Sequence, residues 1–418
     1  MPLRATASAV EPDLLFLPWQ LPLDQWPAED TVALPRGISR HTVRFVRVHA
    51  AVYAVKEIEE SFAQREYQLL FDLGRLGAPC VEPVGVIAGR TDAAGEDLPA
   101  ALITRHLSYS LPYRSLVTTT LTWETGERML DALVVLLVRL HLLGFAWNDC
   151  SLSNTLFRRD AGAFSAYLVD AETGELHESL SRGQRSYDIE TATMNLLGEL
   201  MDLQAGGFVP DSFDVMVLGE QLRQRYEHLW MTLTEPVTVS GTDRRQIHIL
   251  LRTLNGLGFD VAELSAEAGD GGRVIHVRPK VVDAGHHRRR MLRLTGIDMQ
   301  ENQARRLLND LDAYRWVANP DEDEEVVVHH WVREVYEAIL RRVPRELRTK
   351  VEAPELVTEV LAHRWYASER AGRDVGLEWA TEDYVRSVLA KKPDESAVLG
   401  APVEAGADDV DLSVDPAS

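Results

Sequence analysis

Apolar positions change their spacing several times along the chain, and each change marks an expected element. The stretch HTVRFVRVHAAVYAVKEI, within Gly37 to Ile58, is rich in Val and predicts two strands with a turn near His49–Ala51. From Ser61 to Leu76 the spacing becomes helical, with Phe62, Tyr67, Leu69, Leu70 and Leu73 forming an apolar stripe that Gly77-Ala-Pro79 ends. Two short strands follow, EPVGVIAG and ALITRHL, and then a helix from Trp123 to Gly144. A polar loop, WNDCSLSNTLF, leads into a strand pair, TLFRR and AYLVD, and a helix from about Tyr187 to Leu203 completes the pattern. A strand-rich half thus precedes a helix-rich half.

Beyond about residue 215 the pattern differs. A helix near 243–256 is expected before two strand-like runs, FDVAEL and RVIHVRP, joined by the turn AGDGG. Helices near 285–294, 299–314, 326–342, 354–371 and 377–391 follow. The acidic run DEDEE after Asn319-Pro320 reads as a solvated loop or a helix N-terminus. Residues 1–35 are Pro-rich and irregular and are expected to wrap the domain surface; the last residues hold almost no large side chains and are expected to be disordered.

The polar loop carries the chemistry. Asp149 and Asn154 stand five positions apart, and Asp170 follows 21 positions after Asp149, at a strand end. Upstream, Lys56 ends a strand and Glu66 sits ten positions later on a helix. The order strand Lys, helix Glu, loop Asp-x4-Asn and strand-end Asp resembles the protein-kinase signature set. The short Lys–Glu gap is closest to the compact kinase-like families: the Kdo/WaaP lipopolysaccharide kinases, the RIO kinases and the aminoglycoside phosphotransferases. REYQLLFDLGRLGAPCVEPVGV looks like their helix and following strand, and LHLLGFAWNDCSLSNTLF like their catalytic segment. The chain as a whole resembles an actinobacterial family of lipopolysaccharide-kinase-like proteins with an added C-terminal domain.

That resemblance implies an α+β, bilobal protein-kinase-like fold followed by a mostly helical α/β domain. The expected division is an N-terminal extension over 1–35, an N-lobe over 36–107, a C-lobe over 108–212, an accessory domain over 213–390 and a tail over 391–418. It also implies ATP and Mg2+ as cofactors. Lys56 would hold the phosphates and Glu66 would position it, because a long lysine stem needs an ion pair to stay in place. Ala54 shares a strand face with Lys56 and is small where an adenine ring would pack. Arg105, His106 and Leu107 would form the hinge that reads the adenine edge by backbone. Ser39 and Arg40 would cradle phosphate, since no Gly-rich loop is present and Gly37 stands alone. Asp149 would be the catalytic base, and Asn154 and Asp170 the metal ligands, being the hard oxygen donors Mg2+ prefers. Glu172 is a further candidate ligand. Asp188 is either the residue that ties down the catalytic loop or an ordinary helix cap.

Two departures stand out. Trp147 occupies the usual place of a His, and Ala171-Glu172 that of Phe-Gly. They keep two alternatives open: a nucleotide-binding pseudokinase whose C-terminal domain binds a protein partner, and a nucleotidyl transferase on the same fold. The acceptor is also open among a glycan, a lipid sugar, a metabolite and a protein hydroxyl.

Composition narrows the field. A formal net charge of −21 argues against general nucleic-acid binding, because a phosphate backbone would be repelled. The longest apolar run, Ala132 to Val138, is seven residues, against about 20 needed to span a bilayer. Only Cys80 and Cys150 are present, which fits a reducing, cytoplasmic setting and excludes a disulfide framework. Cys150 reads as a small buried residue rather than a nucleophile. The pairs His286-His287 and His329-His330 read as poor chelators, since adjacent helical residues point apart. The basic run HHRRR, 286–290, is either a solvated helix face or a contact for a phosphorylated or acidic partner.

Overall fold

The structure, a computed structural model, describes residues 3–7, 11–32, 34, 41–49, 51–120, 122–210, 213–235, 237–240, 245, 249, 259–269, 274–318 and 322–392. Ser39, Arg40, most of the helix expected near 243–256, and the tail from 393 onward lie outside the described residues.

Arg4–Ala7 (β1), Val43–Val48 (β2), Ala51–Ile58 (β3), Glu82–Ala88 (β4) and Ala100–Arg105 (β5) form one antiparallel sheet in the order β1-β4-β5-β3-β2. The β2–β3 turn passes through His49 in the left-handed region, φ 53°. The first 35 residues do more than wrap a surface. Besides β1, they supply Leu14, Trp19, Leu23 and Trp26 to a core shared with Val46, Tyr53, Val55 and Ile103. Arg90, buried just beyond β4, anchors this segment, donating to the carbonyls of Trp19 and Leu21 and pairing with Glu57 at 2.8 Å.

The helix Glu60–Arg75 (α1) buries Ala63, Glu66, Tyr67, Leu70 and Leu73. Tyr67, Leu70 and Leu73 of the expected stripe are buried, but Phe62 stands 41% exposed and Ala63 and Glu66 take the inward face in its place. Residues Pro79–Val81 then run beside a C-lobe strand and hydrogen-bond it, so the lobes are joined at two places.

The second lobe contains Ser110–Pro112 (β6), Tyr113–Thr120 (α2), Trp123–Leu142 (α3), Phe145–Ala146 (β7), Thr155–Asp160 (β8), Ala163–Leu168 (β9), Glu175–Leu176 (β10), Arg182–Ala205 (α4) and Val215–Thr234 (α5). β6, β8 and β9 form one small sheet, and β7 and β10 another. The junction with the first lobe is Val81 N to Leu168 O at 3.0 Å and Leu168 N to Pro79 O at 2.9 Å. Gly144, φ 82°, ends α3 where a Cβ would stand 2.1 Å from the His177 carbonyl, so no side chain fits. α4 starts five residues before the expected Tyr187, because Ser181 and Gln184 form a capping box. The sequence reading missed α5 altogether.

The C-terminal part opens with Val237–Ser240 (β11), Phe259–Gly269 (β12) and Val274–Ala284 (β13), in the order β11-β13-β12. It continues with His286–Thr295 (α6), Glu301–Ala318 (α7), Glu324–Trp331 (α8), Glu337–Arg342 (α9), Ala353–Ala371 (α10) and Leu377–Ser387 (α11). A wider turn of π type, Val332–Tyr336, interrupts the expected single helix over 326–342. Asp323 caps α8 through Glu325 N, which makes the acidic run a helix start. Leu307, Leu311, Trp331, Ile339, Val357 and Val360 form a second core.

The β8–β9 hairpin, whose Phe157, Ala166 and Leu168 pack in the core of the second lobe, joins that lobe to the C-terminal core by polar contacts. Its tip residue Asp160 is buried and accepts from Gln303 N (2.9 Å), Asn302 Nδ2 (3.0 Å) and Ser165 Oγ (2.8 Å). Glu355 Oε2 accepts from Ala161 N and from Gln303 Nε2, both at 2.7 Å. Burial, reinforced by Glu359, pushes the Glu355 carboxyl up to about 7. Both hydrogen bonds fall on one oxygen, so a proton on the other costs neither. The folded state therefore keeps a proton that the unfolded chain releases above its ordinary carboxylate pKa. This contribution to stability is complete below that value and is lost as the pH rises to about 7, a change on the order of 3 kcal/mol. Urea melts between pH 4.5 and 7.5 should show that component disappear in Glu355→Gln; an unchanged pH slope would refute it.

Candidate active site

β3 presents Ala54 and Lys56 on one face, paired in register with Thr104 and Leu102 of β5. Lys56 Nζ donates to Asp170 at 2.7 Å, to Glu66 at 3.0 Å and to Glu172 at 3.1 Å. One ammonium thus joins a strand of the first lobe, the α1 helix and the segment after β9. Ala54, Lys56, Glu66, Arg105, His106, Leu107, Asn154 and Asp170 all line a single cleft of about 270 Å³ between the lobes. Eight of the eleven residues picked out from the sequence meet there. Asp149 stands at its edge through Asn154, and Ser39 and Arg40 are outside the described residues.

Three carboxylates surround the Lys56 ammonium. Burial on its own lowers the Lys56 ammonium, but Glu66 and Asp170 outweigh it and hold the group above its usual range. Burial, together with Asp170, pushes the Glu66 carboxyl up to about 8 in spite of Lys56. Burial also raises Asp170, yet Lys56 and the Glu172 N–H overcome it and leave that carboxyl below its usual value. Lys56 and Glu66 both shift upward because three carboxylates compete for one cation. Glu66, Asp170 and Glu172 bring their oxygens within 4.8 Å of one another around the Lys56 ammonium, which fills the centre of that set; the hard oxygens of Asp170 and of the nearby Asn154 amide are the donors that fit a divalent cation.

The loop holding Asp149 is fastened from α4. Asp188, fully buried, accepts from Trp147 N (2.7 Å), Asn148 N (2.8 Å) and His141 Nε2 (2.9 Å). It lies in the second turn of α4, so it ties the loop and does not cap the helix. Two further residues on the same face were missed from sequence. Glu199 accepts from Leu152 N and Ser153 N, and Asn195 donates to the Asp149 carboxylate at 3.2 Å and to the Cys150 carbonyl at 3.1 Å. Their signal is legible in hindsight: polar residues at 188, 195 and 199 recur on the helical period of the buried Ala192, Leu196 and Leu203.

Asn154 Nδ2 donates to the Asp149 carbonyl at 3.1 Å and to its carboxylate at 3.3 Å, which leaves the amide oxygen as the atom suited to an ion. Trp147 is fully buried, and its indole N–H donates to the Asp170 carbonyl at 2.8 Å. A residue that departs from the kinase pattern thus ties the Asp149 loop directly to the Asp170 segment. Thr173 adds a second tie, from its hydroxyl to the Trp147 carbonyl.

At the hinge, the His106 N–H is committed to Val52 O at 2.8 Å, and the Leu107 carbonyl accepts from Ser110 N. The expected reading of a base edge by all three hinge residues therefore narrows, since the His106 donor is spent. Burial lowers the His106 imidazole to about 4, so it is neutral at pH 7. Cys150 is buried, and burial pushes its thiol well above the ordinary value, which fits a packing role. Neither His pair belongs to a cluster of metal-ligating groups among the described residues.

Residues 43–194 match the lipopolysaccharide kinase (Kdo/WaaP) family, and residues 228–389 match a domain of unknown function, DUF4032. No curated protein matches the chain. Among solved structures, WaaP in complex with acyl carrier protein is 16% identical over 54% of this chain and 99% of that chain, with a TM-score of 0.34. No described helix is long and apolar enough to cross a membrane. Residues 43–194 are thus similar to the Kdo/WaaP lipopolysaccharide kinase family, and the likeness is to that stretch of the chain.

Proposed function

We propose that the protein is an ATP- and Mg2+-dependent phosphotransferase acting on a hydroxyl acceptor. The observation that carries this reading is the contact of Lys56 with both Glu66 and Asp170, 3.0 and 2.7 Å away, across two lobes. Phosphoryl transfer needs little covalent chemistry from a protein; it needs phosphates positioned and charge neutralised. Lys56 holds nucleotide phosphate, and Glu66 fixes its stem. Asn154 and Asp170 would hold the metal, which would supply charge neutralisation for the phosphate. Asp149 takes the acceptor hydroxyl proton, its carboxylate aimed by Asn154 and Asn195. Ala54 gives the base room, and Arg105 to Leu107 wall it.

ATP with Mg2+ should raise the melting midpoint, by about 2.7 kcal/mol of stabilisation at a hundredfold excess over Kd. Asp170→Ala should lose the Mg2+-dependent part. Label followed from γ-labelled ATP into an acceptor pool, with Asp170→Ala as control, tests the reaction itself. Transfer of label from α-labelled ATP instead would make the protein a nucleotidyl transferase, and nucleotide binding without transfer would make it a pseudokinase.

A further inference from the structure

The helix α4 holds the Asp149 loop with one face, through Asp188, Asn195 and Glu199. Its opposite face is apolar and turned to solvent. Tyr187, Thr191, Met194, Gly198, Met201 and Ala205 follow one another there at steps of four, three, four, three and four residues. That is the repeat of a helix-packing seam, and it runs for about 27 Å. Phe208 extends the seam by folding back over the helix end, against Gly206. The four large side chains range from 44% exposed at Met201 to 69% at Met194. No residue of the seam carries a charge, on a chain whose formal net charge is −21. A continuous apolar strip of this kind marks a surface that something covers.

Gly198, at the centre of the seam, has no packing reason within the chain. A glycine in the middle of a helix is costly relative to alanine, because it surrenders more backbone freedom. Elsewhere neighbours account for such a residue: a Cβ at Gly219 of α5 would stand 3.0 Å from Leu197, and one at Gly126 of α3 would stand 3.3 Å from Phe213. At Gly198 a Cβ would meet nothing within 4 Å. A glycine that faces open space suits a close approach from outside the chain. The order of side chains around it says what approaches. Outward from Gly198, each direction gives a methionine, then a small residue, then an aromatic ring: Met194, Thr191 and Tyr187 one way, Met201, Ala205 and Phe208 the other. A two-fold contact requires that residue i meet j while j meets i, and a face with this mirrored order meets that requirement when two copies run antiparallel.

We propose that this chain forms a two-fold dimer through α4, with the two helices antiparallel and crossing at Gly198. Met194 then faces the partner's Met201, Thr191 the partner's Ala205 and Tyr187 the partner's Phe208. Glycine at the crossing lets the backbones approach, the flexible methionines fill the space on either side, and aromatic pairs close the two ends. A partner of unlike sequence has no use for the mirrored order. Two acidic bodies repel each other, and an uncharged strip is where they meet at least cost. The dimer rests on the outer face of α4 and stands whether or not the phosphotransferase reading holds.

Sedimentation velocity of the full chain from about 1 to 100 μM tests the proposal, because a single helix pair is a small interface and associates weakly. The mass should rise from one chain towards two across that range. Met194→Glu and Met201→Lys should each weaken association by about tenfold or more, since each sets an unpaired charge in an apolar contact. Both side chains are exposed in the single chain, so thermal melts at low concentration should not change. Met194→Glu combined with Met201→Lys in one chain should restore the dimer, because antiparallel pairing sets each new charge against its opposite. A single chain at every concentration, dimers indifferent to the single changes, or a double variant that stays monomeric would overturn the proposal.

Discussion

Asp149→Asn should cut phosphoryl transfer by about 10²- to 10⁴-fold, the range a positioned general base supplies, and leave nucleotide affinity nearly unchanged. The substitution keeps the shape of the side chain. Its oxygen still accepts from Asn195 or Asn154, which approach the carboxylate at 3.2 and 3.3 Å, so the loop stays in place. What is lost is the capacity to take a proton from the acceptor. Asp149 is not among the residues that line the nucleotide cleft, which is why binding is spared. Two measurements separate the effects: steady-state rates should show kcat falling, and equilibrium titration with ATP should show Kd holding. Unchanged turnover would remove Asp149 from the role of base.

Asp188→Ala should cost about 3–5 kcal/mol of stability, the largest loss expected of any single change in this site. Three buried donors depend on that carboxylate: the Trp147 and Asn148 backbone N–H groups and the His141 ring. Leaving them unpaired away from water is costly, and truncation also leaves a void. Asn148 sits at φ 64°, an unfavourable conformation for a non-glycine residue that these hydrogen bonds help to hold. Asp188→Asn should fall between wild type and Ala, because one oxygen remains to accept. Urea unfolding measures the difference. A loss below about 1 kcal/mol would show that the loop is held by its other ties, chiefly Glu199 and Thr173.

The β8–β9 hairpin has a structural consequence for this site. Asn154 immediately precedes β8 and Asp170 follows β9, so the two proposed metal ligands sit at one end of the hairpin. The other end, at Asp160 and Ala161, is held by Gln303 and Glu355 of the C-terminal part.

What the sequence by itself determined was local and periodic. The Val-rich hairpin, the strands and the long α3 follow from spacing and turn residues, and the Asp-x4-Asn loop is contiguous in the chain. The order of Lys56, Glu66, Asp149, Asn154 and Asp170 is also a property of the string. Tertiary structure decided the rest, because side chains with no local signal act only once distant segments meet. Phe62 and Glu66 are both helical residues, and only packing against the sheet turned Glu66 inward and left Phe62 in water. Asp188 has the composition of a cap and became a loop anchor because Ser181 and Gln184 began the helix earlier. Trp147 broke the expected motif, yet its indole reaches the Asp170 carbonyl, a partner 23 positions away.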